Sequence, residues 1–376
     1  MMAGLGTLTL AVALAPAVAI VLILLIRRPR AAEALNLAAS AVSLLAILMI
    51  LASRNESDQT FWGSYVIIDG LGTWTILCAA IVYFLASVYA VGYMRLLDQE
   101  DRLYRFYAMF AGFGLSILIG PMMNNAGLYW IAIELTTLVS TFLVAFEREA
   151  VSIEAAWKYI IVVSAGISLA LLGTVLFYWS GTFVLGPTYD MTWKALQEIA
   201  PRLNPAVVSL SFLLVLIGYG TKVGLAPMHT WLPDAHSEGP APVSALLSGA
   251  LLNTAMVGIV RYLAVADAAG ISTLARGTLL ALGYQRSAVL VSLVLESILM
   301  GLISGVIGVV ISSAMQFASF SAVNFNTFSE VNFRFTLTPG VVAASLLFAA
   351  AMGYAGGFLP ALRAARMPIV QAVRGA

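Results

Sequence analysis

The chain has 376 residues, of which 61% are hydrophobic and 10% are charged, and its formal net charge is +1. Globular domains carry about 25% charged residues, so this composition excludes a soluble core and indicates a membrane protein with several spans. A net charge so close to zero gives no indication of a nucleic-acid partner, and none is expected. The one cysteine, Cys78, excludes a disulfide framework and a cysteine-based metal site.

Apolar runs of about 20 residues predict an all-α, polytopic protein with about ten transmembrane helices. The predicted spans are 5–26, 31–52, 70–93, 105–124, 126–146, 157–179, 206–226, 239–263, 287–313 and 338–359. The first run precedes its arginines, which favours a transmembrane helix over a signal peptide. Lysine and arginine in the short loops predict that the first, third and fifth loops are cytoplasmic and that the N-terminus faces out.

The stretch 218–252 combines a charged residue, a helix break and both histidines of the chain. Lys222 lies within an apolar run that Pro227 interrupts, so the sequence predicts one broken helix near Pro227. A charged residue in a span costs roughly 2.5–3.5 kcal/mol on insertion scales. A broken helix at membrane depth is tolerated only where protein buries it or where it lines a wet cavity. These features together indicate an ion pathway.

Glu134 lies well inside the fifth apolar run and is a candidate partner for Lys222. If their helices are neighbours, the carboxylate stabilises the charged lysine, and burial favours loss of the proton when the pair loosens. The alternative is a structural ion pair that fixes helix packing. Intramembrane ionisable groups favour the functional interpretation.

His229 and His236 flank the sequence TWLPDA, and each can pass a proton near neutral pH. Alternatively, both only bond backbone carbonyls that the Pro227 break sets free. Their irregular spacing around Asp234 does not favour a metal site, and no metal is expected.

Two further positions allow two interpretations each. Asn253 is either part of a water-filled path or a polar contact between helices. Lys158 either extends to the interface or feeds the path from the cytoplasm. Asp69 begins a span and is the expected cap of that helix. The sequence contains no phosphate-binding loop, dinucleotide motif or catalytic triad, so no catalytic residue and no cofactor are predicted.

The segment KVGLAPMHTWLPDAH at 222–236, together with DGLGTW at 69–74 and Glu134, carries a family resemblance. It resembles the proton-translocating subunits of respiratory complex I, Mrp-type cation/proton antiporters and membrane-bound hydrogenases, in particular the hydrogenase-4 component F type. The resemblance covers roughly residues 1–275.

The resemblance implies a transport subunit, without a redox centre, of an NADH:quinone oxidoreductase-like or hydrogenase-like complex in the cell inner membrane. It implies that Glu134 and Lys222 drive proton transfer through a half-channel, with His229 as a relay. Asn253 occupies a position where many members have a second lysine. The implied partners are other membrane subunits and a peripheral redox module.

The last third of the chain has arginines that require the opposite orientation, and its spans are richer in glycine. Residues from about 278 to 376 resemble the C-terminal end of an FtsX-like ABC-transporter permease, which implies an ABC ATPase as partner. The predicted organisation is N-terminal helices at 1–104, an antiporter-like repeat at 105–267, a junction at 268–285 and a permease fragment with two spans at 286–376. A permease-like protein and a non-functional fusion of two truncated genes are the alternatives.

Overall fold

The structure is a computed structural model. It describes residues 2–53, 58–96, 102–225, 227–271 and, beyond these, shorter stretches of which 319–324, 329–334 and 338–366 are the longest. The chain forms two compact units that divide after Gly283. The predicted domain boundaries stay predictions.

The described part of the first unit is a bundle of helices with a small two-stranded sheet at one end. Its helices are α1 (Met2–Ile26), α2 (Pro29–Ser53), α3 (Gly70–Leu96), α4 (Leu103–Ile119), α5 (Ala126–Val144), α6 (Ala150–Leu185), α7 (Trp193–Ile199), α8 (Pro205–Val223), α9 (Trp231–Glu238), α10 (Ala241–Leu246) and α11 (Leu252–Ala268). Strands β1 (Gln59–Phe61) and β2 (Val66–Ile68) are antiparallel. A π-helical stretch, Leu247–Leu251, joins α10 to α11.

Eight segments among the described residues are long and apolar enough to cross a membrane. They correspond to the first eight predicted spans and so confirm the all-α membrane class. The predicted ninth span, 287–313, lies mostly outside the described residues. The second unit contains a long helix, Pro339–Arg366, at the predicted tenth span. It also contains an antiparallel hairpin of β3 (Ser319–Asn324) and β4 (Ser329–Arg334).

Polar caps define where several spans begin. The Asn125 side chain accepts hydrogen bonds from the amides of Gly127 and Leu128 at the start of α5. Asn204 accepts one from Ala206 at the start of α8. These bonds satisfy amides that have no partner inside the helix.

Close backbone contact joins α6 to α8. A Cβ atom on Gly218 would lie 2.5 Å from the Ala170 nitrogen and 2.6 Å from the Gly166 oxygen. A Cβ atom on Gly166 would lie 2.6 Å from the Cβ of Thr221. Small residues allow membrane helices to approach this closely. The contact fixes the face of α8 that carries Lys222.

The predicted break follows α8, and it begins three residues before Pro227. α8 ends at Val223, and Gly224 adopts the left-handed conformation with φ of +79°. The amide of Leu225 then donates to the Gly220 carbonyl over 2.8 Å. This left-handed C-terminal cap is typical of glycine, so Gly224 and not the proline ends the helix.

A buried polar cluster ties the start of α3 to α11. Arg261 is 5% exposed, and its guanidinium donates to both carboxylate oxygens of Asp69 at 3.1 Å. It also donates to the carbonyls of Pro121 and Met123 at 2.9 Å. Asp69 accepts from the Gly72 amide, which is the capping role predicted from the sequence.

A second buried polar cluster joins α2 to α3. Asn36 donates to Ser87 over 3.0 Å and accepts from the Tyr83 hydroxyl over 2.9 Å. The Nε atom of Arg95 donates to Glu33 over 3.0 Å. Hydrogen bonds of this kind hold membrane helices together where apolar burial provides little driving force.

We predict that Arg261→Met lowers the free energy of unfolding by about 3–5 kcal/mol, because it leaves Asp69 and two carbonyls without their donor. Chemical unfolding of the purified chain in detergent measures this change. Arg202→Met is the matched control, since Arg202 is exposed and its replacement should alter stability by less than about 0.5 kcal/mol. Equal stabilities for the Arg261 variant and the parent would contradict the prediction.

Candidate functional site

The Lys222 side chain is fully buried near the end of α8, with no exposed surface. Its Nζ atom donates to the Thr137 hydroxyl over 2.9 Å and to the Tyr159 hydroxyl over 2.7 Å. The same nitrogen lies 5.0 Å from the centre of the Tyr159 ring. The amine therefore lies between α5 and α6 and is held by neutral groups.

Hydroxyl groups continue from this amine along α5. The Tyr159 hydroxyl lies 2.7 Å from the Ser140 hydroxyl, and either oxygen can be the donor. Ser140 also donates to the Thr136 carbonyl over 2.6 Å. A continuous hydrogen-bonded line thus joins Lys222, Tyr159 and Ser140.

Glu134 lies one helical turn before Thr137 on α5. Its Oε1 atom accepts from the Ser164 hydroxyl over 3.1 Å, while its Oε2 atom is buried without a hydrogen-bond partner among the described residues. No nitrogen–oxygen distance of 4.0 Å or less joins Lys222 to this carboxylate. The structure differs here from the expected direct ion pair, because the two hydroxyls contact the amine instead.

Trp231 takes part in the break that follows α8. Its indole nitrogen donates to the Thr221 carbonyl over 2.8 Å, and its ring packs on Tyr159 with centroids 4.7 Å apart. Thr221 is the residue before Lys222, so this bond satisfies a carbonyl at the end of α8. The sequence allowed the alternative that the two histidines bond carbonyls set free by the break. For the Thr221 carbonyl, Trp231 makes this bond instead.

The two histidines lie at the edge of the site. His229 is exposed within the break, and His236 is half-buried on α9. The His236 carbonyl accepts from the Ser244 hydroxyl over 2.8 Å. Burial lowers the pKa of His236 below its ordinary value.

Lys158 and Asn253 lie apart from the buried amine. Lys158 is half exposed near the start of α6 and bonds Glu154 at 2.8 Å and Asp234 at 3.0 Å, which ties α6 to α9. Asn253 is exposed on α11, and its amide donates to the Gly249 carbonyl over 3.0 Å. Neither contacts Lys222.

The sequence interpretation missed Tyr159, Thr137, Ser140 and Trp231. Hydroxyl residues follow Glu134 in steps of three residues, at positions 137 and 140, and this pattern was the available signal. The approach of α6, which brings Tyr159 to the amine, depends on packing that no sequence pattern specifies.

With this geometry established, comparison with known proteins defines the class. The family described as NADH:quinone oxidoreductase/Mrp antiporter, transmembrane region, matches residues 123–324. The match covers more than half of the chain, so the chain belongs to this family. It is a multi-pass membrane protein, and this membership is consistent with the predicted inner-membrane location. The match also continues through 268–285, so the FtsX-like resemblance and its ABC ATPase find no support.

Two curated relatives illustrate the relationship. The chain is 38% identical over 239 residues to the hydrogenase-4 component F homolog of Methylacidiphilum infernorum. This alignment covers 62% of this chain and 49% of that protein. It is 28% identical over 228 residues to NADH-quinone oxidoreductase subunit N of Halorhodospira halophila. This alignment covers 59% of this chain and 44% of that protein. The chain thus spans about half the length of these relatives.

Two solved structures share the fold. Respiratory complex I from Thermus thermophilus with bound aureothin gives a TM-score of 0.56 at 18% identity and covers 92% of this chain and 63% of that chain. The membrane-bound sulfane sulfur reductase, an archaeal respiratory membrane complex, gives 0.61 at 15% identity and covers 93% and 65%. At these identities the likeness shows the fold alone.

We predict that the stability of the chain falls as the pH decreases below about 6.5, in part because of His236. Its folded pKa is depressed, so the unfolded chain takes up a proton before the folded chain does. The contribution of neutral His236 to the stability of the fold is therefore full above the pKa of this histidine in the unfolded chain, and it is lost as the pH falls toward the lower pKa of the folded chain. Thermal unfolding between pH 8 and pH 5 should show a shallower fall in His236→Gln than in the parent.

His229→Gln is the matched control, because it removes the exposed histidine of the same segment. It should keep the parental pH profile. The attribution to His236 is wrong if His236→Gln and the parent have the same profile.

Proposed function

We propose that this chain is a membrane subunit of a proton-translocating complex of the NADH:quinone oxidoreductase or hydrogenase type, and that Lys222 carries protons within a half-channel. The observation that carries the proposal is the fully buried Lys222 amine, held by two hydroxyls and by no carboxylate. Family membership and the names of the relatives support the kind of complex.

The hydroxyl contacts suit an amine that gains and loses a proton. A charged ammonium donates to Thr137 and Tyr159, as observed. A neutral amine accepts a hydrogen bond, and the Tyr159 hydroxyl can rotate to donate it. Both states of Lys222 are thus satisfied by the same partners. A permanent ion pair with a carboxylate would instead favour the charged state strongly.

Glu134 lies one turn away from this contact. Its Oε2 atom is a buried acceptor without a partner in the described structure, so it is the candidate receiver of a proton. Ser164 on α6 fixes the other oxygen. The amine would exchange protons with the carboxylate along a route that starts at the Thr137 and Tyr159 hydroxyls, and the strength of the attraction between Lys222 and Glu134 would vary with the charge on Glu134.

The remaining predicted residues have roles at the ends of this path. Lys158 and Asp234 form the half-exposed pair at its mouth, on the side where α8 ends. His229 precedes α9 and His236 lies on it, and both are candidates to relay protons from solvent. Asn253 is exposed on α11 and is the candidate link to a neighbouring subunit.

A pair of substitutions at Lys222 tests the proposal. Lys222→Met keeps the length of the side chain and removes the proton carrier, so proton uptake should fall to background. Lys222→Arg keeps the positive charge but does not release its proton, and it should also fail. Substrate-driven proton uptake is measured in vesicles that contain the native complex, purified through a tag on this chain.

Lys194→Gln is the matched control, since Lys194 is exposed and its pair with Glu198 lies on the surface. It should pump like the parent. Full pumping by Lys222→Arg would show that only the charge is needed and would overturn the role as proton carrier. Full pumping by Lys222→Met would remove Lys222 from the path altogether.

A further inference from the structure

A cleft of about 1180 Å³ lies between α1, α4 and α5, and none of its lining residues belongs to the Lys222 site. Its inner wall is apolar and includes Ile20, Leu115 and Val139, one from each of these helices. Gly112 on α4 widens it, because a Cβ atom there would meet Val139 at 3.7 Å and Ile20 at 3.8 Å.

Four arginines line the same cleft: Arg27, Arg102, Arg105 and Arg148. They lie at the end of α1, the start of α4 and the turn after α5, which are all on one side of the bundle. None of the lining residues is acidic. This end of the cleft therefore has a concentrated positive charge above an apolar interior.

Two of these arginines have unusual backbone conformations. Arg27 has φ of +54° and Arg148 has φ of +59°, in the left-handed region. Arg27 lies directly after α1, where glycine is the usual residue, and Arg148 lies in the turn between α5 and α6. Strained residues of this kind cluster at ligand sites, and here arginine is kept at the expense of local strain.

The depth of the cleft matches one leaflet of a bilayer. Leu115 lies ten residues beyond Arg105 on α4, which corresponds to about 15 Å along the helix. The hydrocarbon core of a bilayer is about 30 Å thick, so the cleft extends about halfway across it. That is the reach of a lipid acyl chain whose headgroup lies at the interface.

We propose that this cleft binds one anionic phospholipid, with its phosphate among the four arginines and an acyl chain along the apolar wall. Guanidinium groups bind phosphate oxygens in pairs of parallel hydrogen bonds. Basic pockets between transmembrane helices are suited to anionic headgroups. A free phosphate ion would not use the apolar wall, and the choline cation of a zwitterionic lipid would add a positive charge beside the arginines. The proposal is independent of the proton pathway.

Native mass spectrometry of the full chain in detergent tests this site, with dioleoyl phosphatidylglycerol as the anionic probe and dioleoyl phosphatidylcholine as the neutral one. The parent should retain phosphatidylglycerol preferentially. Arg102→Gln with Arg105→Gln should weaken that binding roughly 30-fold. Arg28→Gln with Arg30→Gln is the matched control, because those arginines lie where α1 is joined to α2 and do not line the cleft.

A second pair of variants tests the apolar wall. Gly112→Leu should fill the groove and weaken phosphatidylglycerol binding, whereas Gly112→Ala fits at ordinary contact distances and should not. Thermal unfolding identifies any variant that fails to fold. Gly112→Leu tests the apolar wall, and the Arg102/Arg105 variant tests the phosphate site independently of it.

Three results would overturn the proposal. One is equal retention of the two lipids by the parent. Another is equal loss of phosphatidylglycerol in the Arg28/Arg30 control and the Arg102/Arg105 variant. The third is full competition by inorganic phosphate together with no effect of Gly112→Leu, which would assign the arginines to a free anion.

Discussion

The burial of the Lys222 amine is the constraint on which the rest of the site depends. A lysine within a span costs roughly 2.5–3.5 kcal/mol, so neighbouring helices have to compensate for it. The structure compensates with hydroxyls from α5 and α6. The close contact at Gly166 and Gly218 sets the distance between α6 and α8 and thereby places Tyr159 within reach of the amine.

The end of α8 completes this environment. Gly224 stops the helix two residues after the lysine, so the chain can turn back and place Trp231 against Tyr159. The indole satisfies a terminal carbonyl and covers the tyrosine ring at the same time. The helix break thus belongs to the same packing arrangement as the buried amine, and the surface pair of Lys158 and Asp234 fastens α9 on its outer side.

Other buried charges in the bundle have a different character. Arg261 makes four hydrogen bonds with Asp69 and two carbonyls, and the buried Glu33 pairs with Arg95, which is about half exposed. Each of these pairs joins an arginine to a carboxylate. Lys222 has two neutral partners instead. The contrast separates charges that hold the bundle together from the one that suits proton exchange.

The positions of the first eight spans and an interruption near Pro227 followed from the sequence, because apolar length and an interrupted run report directly on membrane structure. The site followed only in part. Glu134 and Lys222 were singled out because an ionisable residue is costly in lipid. The contact of Tyr159 with the Lys222 amine, in contrast, depends on the approach of α6 to α8. Likewise Asn253 is a polar residue on a span, and only the structure shows that it is exposed and bonded within its own helix.

The chain has three lysines, Lys158, Lys194 and Lys222, and only Lys222 is buried. Nitrogen NMR of protein labelled at the lysine Nζ atoms, in bilayer vesicles, therefore observes the central claim directly. Lys222→Met identifies the resonance. When a proton gradient is imposed, the account predicts that this resonance alone changes between its charged and neutral forms, and that Glu134→Gln suppresses the change. A Lys222 resonance that stays fully charged with and without the gradient would contradict the account.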